Sequence, residues 1–206
     1  MTKKQRAIFA VNALKERYPA ECSLCAGDPL QLLIATRLSA QCTDARVNLV
    51  TPALFARFKT AAEFAAAEIS EVEGLIKSCG LYKTKARDIV LMCRAICERF
   101  GGGVPESMED LTSLPGIGRK TANLIRGDVY GLPAVVTDTH LIRVSNRLGL
   151  CATEDPVKVE RELIKLIPPD ESSDFCHRVV LFGRDICSAR APKCGTCPLA
   201  ECCAAV

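Results

Sequence analysis

The sequence predicts an all-α protein, on three observations. Helix-start signals recur along the whole chain. The apolar fraction is large, at 49%, yet aromatics supply only 5% and Trp none. No stretch longer than Pro133-Ala134-Val135-Val136 reads as a strand. An aliphatic mix rich in Ala and Leu suits helices better than sheets. A chain of 206 residues with this content can bury a core without cross-links.

The elements follow in order. Residues 5–17 place Ala7, Ile8, Val11 and Leu14 on one helical face. Asp28-Pro29, a cap followed by a first-turn proline, opens LQLLIATRLSAQ. Thr51-Pro52 predicts the start of a further short helix, and Thr60 with Glu63 and Ser70 with Glu73 fit capping boxes. Gly80 reads as a stop. Residues 83–100 carry Ala86, Ile89, Val90, Cys93, Ile96, Cys97 and Phe100 at helical spacing, ended by glycines 101–103. A short helix from Ser107 stops before Leu114-Pro115, and another runs from Gly118 towards Gly131. Asp138 caps a helix to Leu148, Asp155-Pro156 opens one closed by Pro168-Pro169, and a last helix covers 174–186.

The net charge of +3 permits a nucleic-acid partner without requiring one. Thirteen cysteines, without a secretory leader or a membrane-length apolar run, point to reduced thiols and metal binding rather than disulfides. A cytoplasmic, nucleoid-associated monomer is the expectation.

The most informative stretch is Leu114-Pro115-Gly116-Ile117-Gly118-Arg119-Lys120. Two glycines around one apolar residue allow a tight turn between helices, with Ile117 anchoring it. The N–H groups then face outward at the positive end of the second helix, a seat for phosphate that reads no base sequence. The plainer alternative is a helix–turn–helix whose glycines serve packing. At the C-terminus, Cys187, Cys194, Cys197 and Cys203 are spaced C-x6-C-x2-C-x5-C. One C-x2-C within wider loops favours a 4Fe–4S cluster over zinc, which usually pairs two short chelating loops. Zinc and uncommitted thiols remain alternatives, and Cys202 competes with Cys203. Arg190 and Lys193, in the loop between the first two cysteines, suit contacts to a DNA backbone or simply a solvated surface.

These two motifs, with LSAQCTD (38–44), GLYKTKA (80–86), VPESMEDLTSLPGIGRKTAN (104–123) and DTHLIRVSNRLG (138–149), resemble the endonuclease III family over nearly the whole chain. The resemblance implies two lobes: a helical barrel over 22–132 containing the helix-hairpin-helix at 107–130, and a discontinuous iron–sulfur domain over 1–21 and 133–206. It implies double-stranded DNA with damaged pyrimidines or abasic sites as partner, and removal of the base followed by cleavage 3′ to the abasic site. Lys120, in the first turn after the hairpin, is the implied nucleophile; by its position alone it reads equally as a simple phosphate contact. A lysine partly desolvated at a positive helix end loses basicity, and the neutral amine can attack C1′ of a flipped nucleotide. Asp138 is the implied electrostatic and proton-transfer partner; by its position alone it reads as a helix N-cap. His140 resembles a site residue of the family, and Gln41 and Leu81 resemble those that fill the hole left by the flipped base. For both, ordinary packing is the alternative. Thr137 departs from the family, which usually has an apolar residue there, and Cys22-x2-Cys25 lies outside its cluster.

Two other functions compete. The related adenine glycosylases carry an acidic residue in the helix before their Gln-rich segment, whereas no Asp or Glu occurs here between Asp28 and Asp44. A non-catalytic iron–sulfur DNA-binding protein would have no use for the Lys120 and Asp138 pairing.

Overall fold

The computed structural model describes residues 1–205, which contain eleven α-helices, three 3-10 turns and no strand. No helix among them is long and apolar enough to cross a membrane. The chain forms two compact units, one spanning Ser23–Val129 and the other combining Met1–Cys22 with the chain from Tyr130 onward.

The Ser23–Val129 unit contains α2 (Pro29–Ser39), α3 (Asp44–Arg57), α4 (Ala61–Ala66), α5 (Ile69–Ile76), α6 (Tyr82–Phe100), α7 (Met108–Thr112) and α8 (Arg119–Asp128). Helix α6 is its spine, against which α2, α4 and α5 pack. Its buried stripe holds Ala86, Ile89, Val90, Met92, Cys93 and Ile96, all sealed from solvent. Cys97 and Phe100, expected on that stripe, lie at its edge and are half-buried. Gly101, at φ +62°, ends the helix, and the Gly102 N–H returns to the Ile96 carbonyl at 3.2 Å. That is the left-handed terminus a glycine makes inexpensive.

Three local expectations are corrected. Thr51-Pro52 does not open a helix: α3 starts at Asp44, capped by the Thr43 hydroxyl, and passes through Pro52. Burial of Val47, Thr51 and Leu54 on one face holds the helix across a residue that cannot donate its backbone bond. Ser70 is not a cap either, because α5 begins at Ile69 behind Glu68 and has no side-chain cap. At Thr60 the hydroxyl does accept from the Glu63 N–H, but the Glu63 carboxylate reaches the Lys59 N–H rather than completing the box.

The other unit contains α1 (Lys3–Lys15), α9 (Thr139–Arg147), α10 (Pro156–Leu163) and α11 (Ser172–Asp185). Helix α1 starts earlier than the pattern suggested, at a true capping box of Thr2 and Gln5. It buries Ala7, Ala10, Val11 and Leu14 and leaves Ile8 exposed, correcting its assignment to the apolar face. Residues 133–136 are extended without pairing as a strand. Instead the Ala134 N–H donates to Ser172 Oγ at 3.0 Å and the Val136 N–H to Cys176 Sγ at 3.3 Å. Side chains of α11 thus satisfy the buried backbone donors a partner strand would otherwise have to meet.

A carboxylate ties α1 to α11. Glu171, just before α11, accepts from Lys15 of α1 and from Arg178 Nη1 at 2.8 Å; Arg178 Nη2 reaches Asp174 at 2.9 Å. The hydrogen bond from Lys15, aided by Arg178, outweighs burial and holds the Glu171 carboxyl below its ordinary range. A depressed folded pKa gives stability that is present above the unfolded carboxylate value and lost as pH falls through the folded one. Glu171→Gln should therefore destabilise the protein at neutral pH by about 1–3 kcal/mol, since it leaves the buried Arg178 with Asp174 as its one carboxylate and removes the partner of Lys15. Thermal melts from neutral to acid pH should show the gap between the two proteins closing as Glu171 becomes protonated.

Candidate DNA-repair site

The hairpin sits between α7 and α8. Leu114 and Ile117 are buried, as the anchoring role of Ile117 requires, and the Ile117 N–H closes the turn on the Leu114 carbonyl at 3.1 Å. The two glycines serve different ends. Gly116 has φ +75°, and a Cβ there would lie 2.6 Å from Arg37 Nε and 2.8 Å from Asp88 Oδ2. Gly118 has an extended backbone and open space around its missing Cβ, and it caps α8 without a side-chain bond. Gly116 is thus demanded by conformation and crowding. Gly118 instead bares the first turn of α8, where Arg119 and Lys120 stand exposed.

The packing beneath Gly116 was not foreseen. Arg37 of α2 and Asp88 of α6 form a two-pronged ion pair, with Nε at 3.0 Å and Nη2 at 2.5 Å from the same carboxylate oxygen. Nothing marks the two positions as partners in sequence, where they lie 51 residues apart. Lys85 was missed as well. It is fully buried, and its Nζ donates to the Leu38 carbonyl near the end of α2 at 2.7 Å. Burial lowers its pKa. A signal did exist, because Lys85 continues the Ile89–Met92–Ile96 stripe of α6.

Gln41 and Leu81 lie in the same unit and adopt left-handed backbone conformations at φ 52° and 58°, the two non-glycine residues described to do so. Such strain costs roughly 1–2 kcal/mol per residue and gathers at functional sites. Leu81 is 58% exposed, so core packing does not account for it. Their loops run side by side: a Cβ on Gly80 would stand 3.3 Å from the Gln41 carbonyl.

In the other unit Asp138 caps α9, its Oδ1 accepting from the Leu141 N–H at 2.7 Å. The carboxylate is half-buried, and its neighbour Thr137 is buried. His140 Nδ1 lies 3.1 Å from Arg143 Nη2, and a Cβ on Gly183 of α11 would approach that nitrogen to 2.7 Å. His140 is thus wedged between α9 and α11. Arg143 goes on to the Gly183 and Cys187 carbonyls, each at 3.1 Å.

Cys187, Cys194, Cys197 and Cys203 line one cavity of about 140 Å³, walled otherwise by Val144, Leu148, Phe182, Ile186 and Leu199. Among the described residues no three potential ligands converge tightly enough for a single ion. The four cysteines instead share the lining of a single cavity. The donors around them suit bound thiolates: Arg147 Nη1 stands 3.3 Å from Cys187 Sγ, and the Leu199 N–H lies 3.4 Å from Cys197 Sγ. Arg147 also holds the loop itself, through the Ser188 carbonyl at 2.7 Å and the Ala189 carbonyl at 2.9 Å. Cys203 lines the cavity, whereas the buried Cys202 donates to the Leu199 carbonyl and does not. Arg190 is exposed, and Lys193, also exposed, reaches Asp185 at 3.4 Å.

Known proteins resemble this chain in sequence and fold. The family model for the HhH-GPD superfamily of base excision DNA repair proteins matches residues 34–169. Endonuclease III of Synechocystis is 50% identical over 98% of this chain and 93% of its own. That of Bacillus subtilis is 43% identical over 95% of this chain and 90% of its own. A solved structure of a trapped endonuclease III–DNA covalent intermediate superposes with a TM-score of 0.91 at 43% identity, covering 100% of this chain and 97% of that one. A hairpin built from two glycines, four cysteines about one cavity and full-length relatives at this identity agree: the chain belongs to the endonuclease III family of the HhH-GPD superfamily.

Proposed function

We propose that this chain removes oxidised pyrimidines from double-stranded DNA and then nicks the backbone at the abasic site, with Lys120 as nucleophile. Membership of the endonuclease III family makes it a base-excision DNA glycosylase and abasic-site lyase. The observation that supports the residue assignment is the first turn of α8, whose backbone amides have no side-chain cap and whose Lys120 is exposed, chemistry suited to a phosphate beside an amine. The relative trapped as a DNA covalent intermediate supports a covalent route.

The steps follow from ordinary lysine chemistry. The hairpin amides hold a phosphate, and the target nucleotide leaves the stack. The neutral Lys120 amine attacks C1′, and the glycosidic bond breaks with its electrons leaving on the base, which takes up a proton. The attached amine loses a proton, its lone pair then expels the ring oxygen O4′ from C1′, and that oxygen takes up a proton, leaving an open-chain Schiff base. Removal of a proton from C2′ then expels the phosphate at C3′. Asp138 stabilises positive charge on the sugar and moves the amine proton, while its Oδ1 continues to cap α9. Gln41 and Leu81 fill the space the base vacates. Strain at both positions and the exposure of an apolar side chain at Leu81 support that role.

Cys187, Cys194, Cys197 and Cys203 would hold a 4Fe–4S cluster in the unit that contains α1 and α9–α11. When bound, it cross-links the C-terminal loops so that Arg190 and Lys193 meet the DNA backbone in a fixed geometry. Lack of an acidic residue between Asp28 and Asp44, together with Lys120, favours this reading over an adenine glycosylase.

Lys120→Gln should abolish the adduct trapped by borohydride on damaged DNA while largely retaining DNA affinity. A persisting adduct would mean that another amine attacks. Asp138→Asn keeps the cap, since Asn caps as well as Asp. Base release should nonetheless slow at least ~100-fold, the low end for a positioned acid–base group. Wild-type activity in Asp138→Asn, with only a lower melting temperature in Asp138→Ala, would leave Asp138 as a cap alone.

Gly116→Ala should weaken DNA binding and flatten its salt dependence, by about 0.9 in the slope of log K against log salt for each phosphate the hairpin no longer holds. An unchanged slope would place the phosphate seat elsewhere. The purified protein should carry about four irons and absorb broadly in the visible. Cys202→Ser should keep that absorption and Cys203→Ser should lose it; the reverse result would exchange their roles.

A further inference from the structure

Beneath Gln41 and Leu81 lies a pair of thiols that the repair chemistry does not use. Cys42 follows Gln41 directly, and Cys79 precedes Gly80-Leu81. The two thiols are neighbours, near enough for Cys42 to act on the Cys79 sulfur. Both are free cysteines, with Cys79 sealed in the core at 1% exposure and Cys42 half-buried. The backbones beside them are equally close, as the 3.3 Å approach of the Gly80 Cβ position to the Gln41 carbonyl shows. Each loop is pinned one turn earlier, by the Cys42 N–H on Ser39 and the Cys79 N–H on Ile76. Two cationic groups, the buried Lys85 ammonium and Arg46, act on the pair.

We propose that Cys42 and Cys79 are a thiol-oxidation site, and that peroxide converts them to a disulfide which locks the loops of Gln41 and Leu81 and arrests base release. This rests on the reading of those two residues as the ones that fill the vacated space.

The geometry divides the roles. Cys42 is the accessible partner and meets the oxidant. Its thiolate attacks one oxygen of hydrogen peroxide, the O–O bond breaks, and the departing hydroxide leaves as water with the thiol proton. The product is a sulfenic acid on Cys42. Cys79 is held against that sulfur and protected from solvent. Burial, then the neighbouring Cys42, pushes its thiol up to about 11, so it waits as a thiol while Cys42 reacts. The Cys79 sulfur then attacks the Cys42 sulfur, the S–O bond breaks, and the hydroxyl leaves as a second water with the Cys79 proton. Two electrons pass from the two thiols to one peroxide, and a thiol reductant reverses the change.

Forming the bond draws the two sulfurs to about 2.05 Å. The pull falls directly on Gln41 and, across Gly80, on Leu81. Both already occupy strained conformations, so they can absorb little of it without moving.

The test uses the purified, cluster-containing protein, treated with one equivalent of hydrogen peroxide and assayed on duplex DNA carrying an oxidised pyrimidine. Proteolysis and mass spectrometry should find a peptide linking Cys42 to Cys79 in the wild type and none in Cys42→Ser or Cys79→Ser. Base release by the oxidised wild type should fall about tenfold or more, since a displacement of about 1 Å at a reacting centre can cost about 100-fold. A thiol reductant should restore it. Both serine variants should keep their rates through the same treatment, and constant visible absorption should show the cluster intact. The proposal is overturned if no linked peptide forms, if the linked protein works at the wild-type rate, or if Cys42→Ser loses as much activity as the wild type. Reduced Leu81→Ala at the wild-type rate would instead sink the space-filling reading, a failure distinct from that of the link, which mass alone reports.

Discussion

The Ser23–Val129 unit is organised around a charge it has had to bury. Lys85 Nζ donates to the Leu38 carbonyl deep in the helical packing. An ammonium taken out of water costs several kcal/mol unless it is well bonded, so this contact holds its geometry firmly. The carbonyl belongs to the last turn of α2, where the unsatisfied acceptors and the negative helix end favour a cation. Lys85 itself stands one turn into α6. The bond therefore fixes the end of one helix against the start of another, and the loops of Gln41 and Leu81 leave from those two points. Their left-handed backbones can persist because their roots cannot shift.

The same helices carry the hairpin. Arg37 lies on α2 and Asp88 on α6, close along the chain to Leu38 and Lys85 respectively. Their ion pair fills the space under Gly116 so closely that no Cβ fits. Thus α2 and α6 support two features at once, the loops at their ends and the hairpin beside them. A side chain at 116 would disturb both the turn and the pair beneath it, whereas a substitution at 118 would meet open space and chiefly obstruct approach to the α8 amides.

The thirteen cysteines separate by environment into distinct chemical groups. Four surround a cavity whose remaining wall is mostly apolar but includes Arg147, and two of them, Cys187 and Cys197, meet hydrogen-bond donors at sulfur. Cys93 and Cys151 are packed among apolar groups, and burial pushes their thiols up to about 12 and 11, so they behave as small hydrophobes. Cys42 and Cys79 are neighbours under a strained pair of loops. A residue type that looks uniform in sequence is thus divided by burial and by neighbours.

The all-α class, the hairpin and the set of four cysteines were legible in the sequence because each depends on local chemistry. Asp28 and Asp138 cap helices where their spacing predicts, since a cap is made with an N–H only three residues away. Gly116 was legible for the same reason, as a turn needing positive φ advertises its glycine. Local reading failed where packing outweighed local preference: a helix ran through Pro52, and Ile8 stayed in water although the pattern sent it inward. Choosing Cys203 over Cys202 as a cavity-lining residue needed the 3-10 turn that aims Cys202 at the Leu199 carbonyl. Only the tertiary structure could pair Arg37 with Asp88, Lys85 with Leu38, or Cys42 with Cys79. Each contact joins groups distant along the chain, and such a meeting is set by how whole helices pack, which no short window of residues encodes.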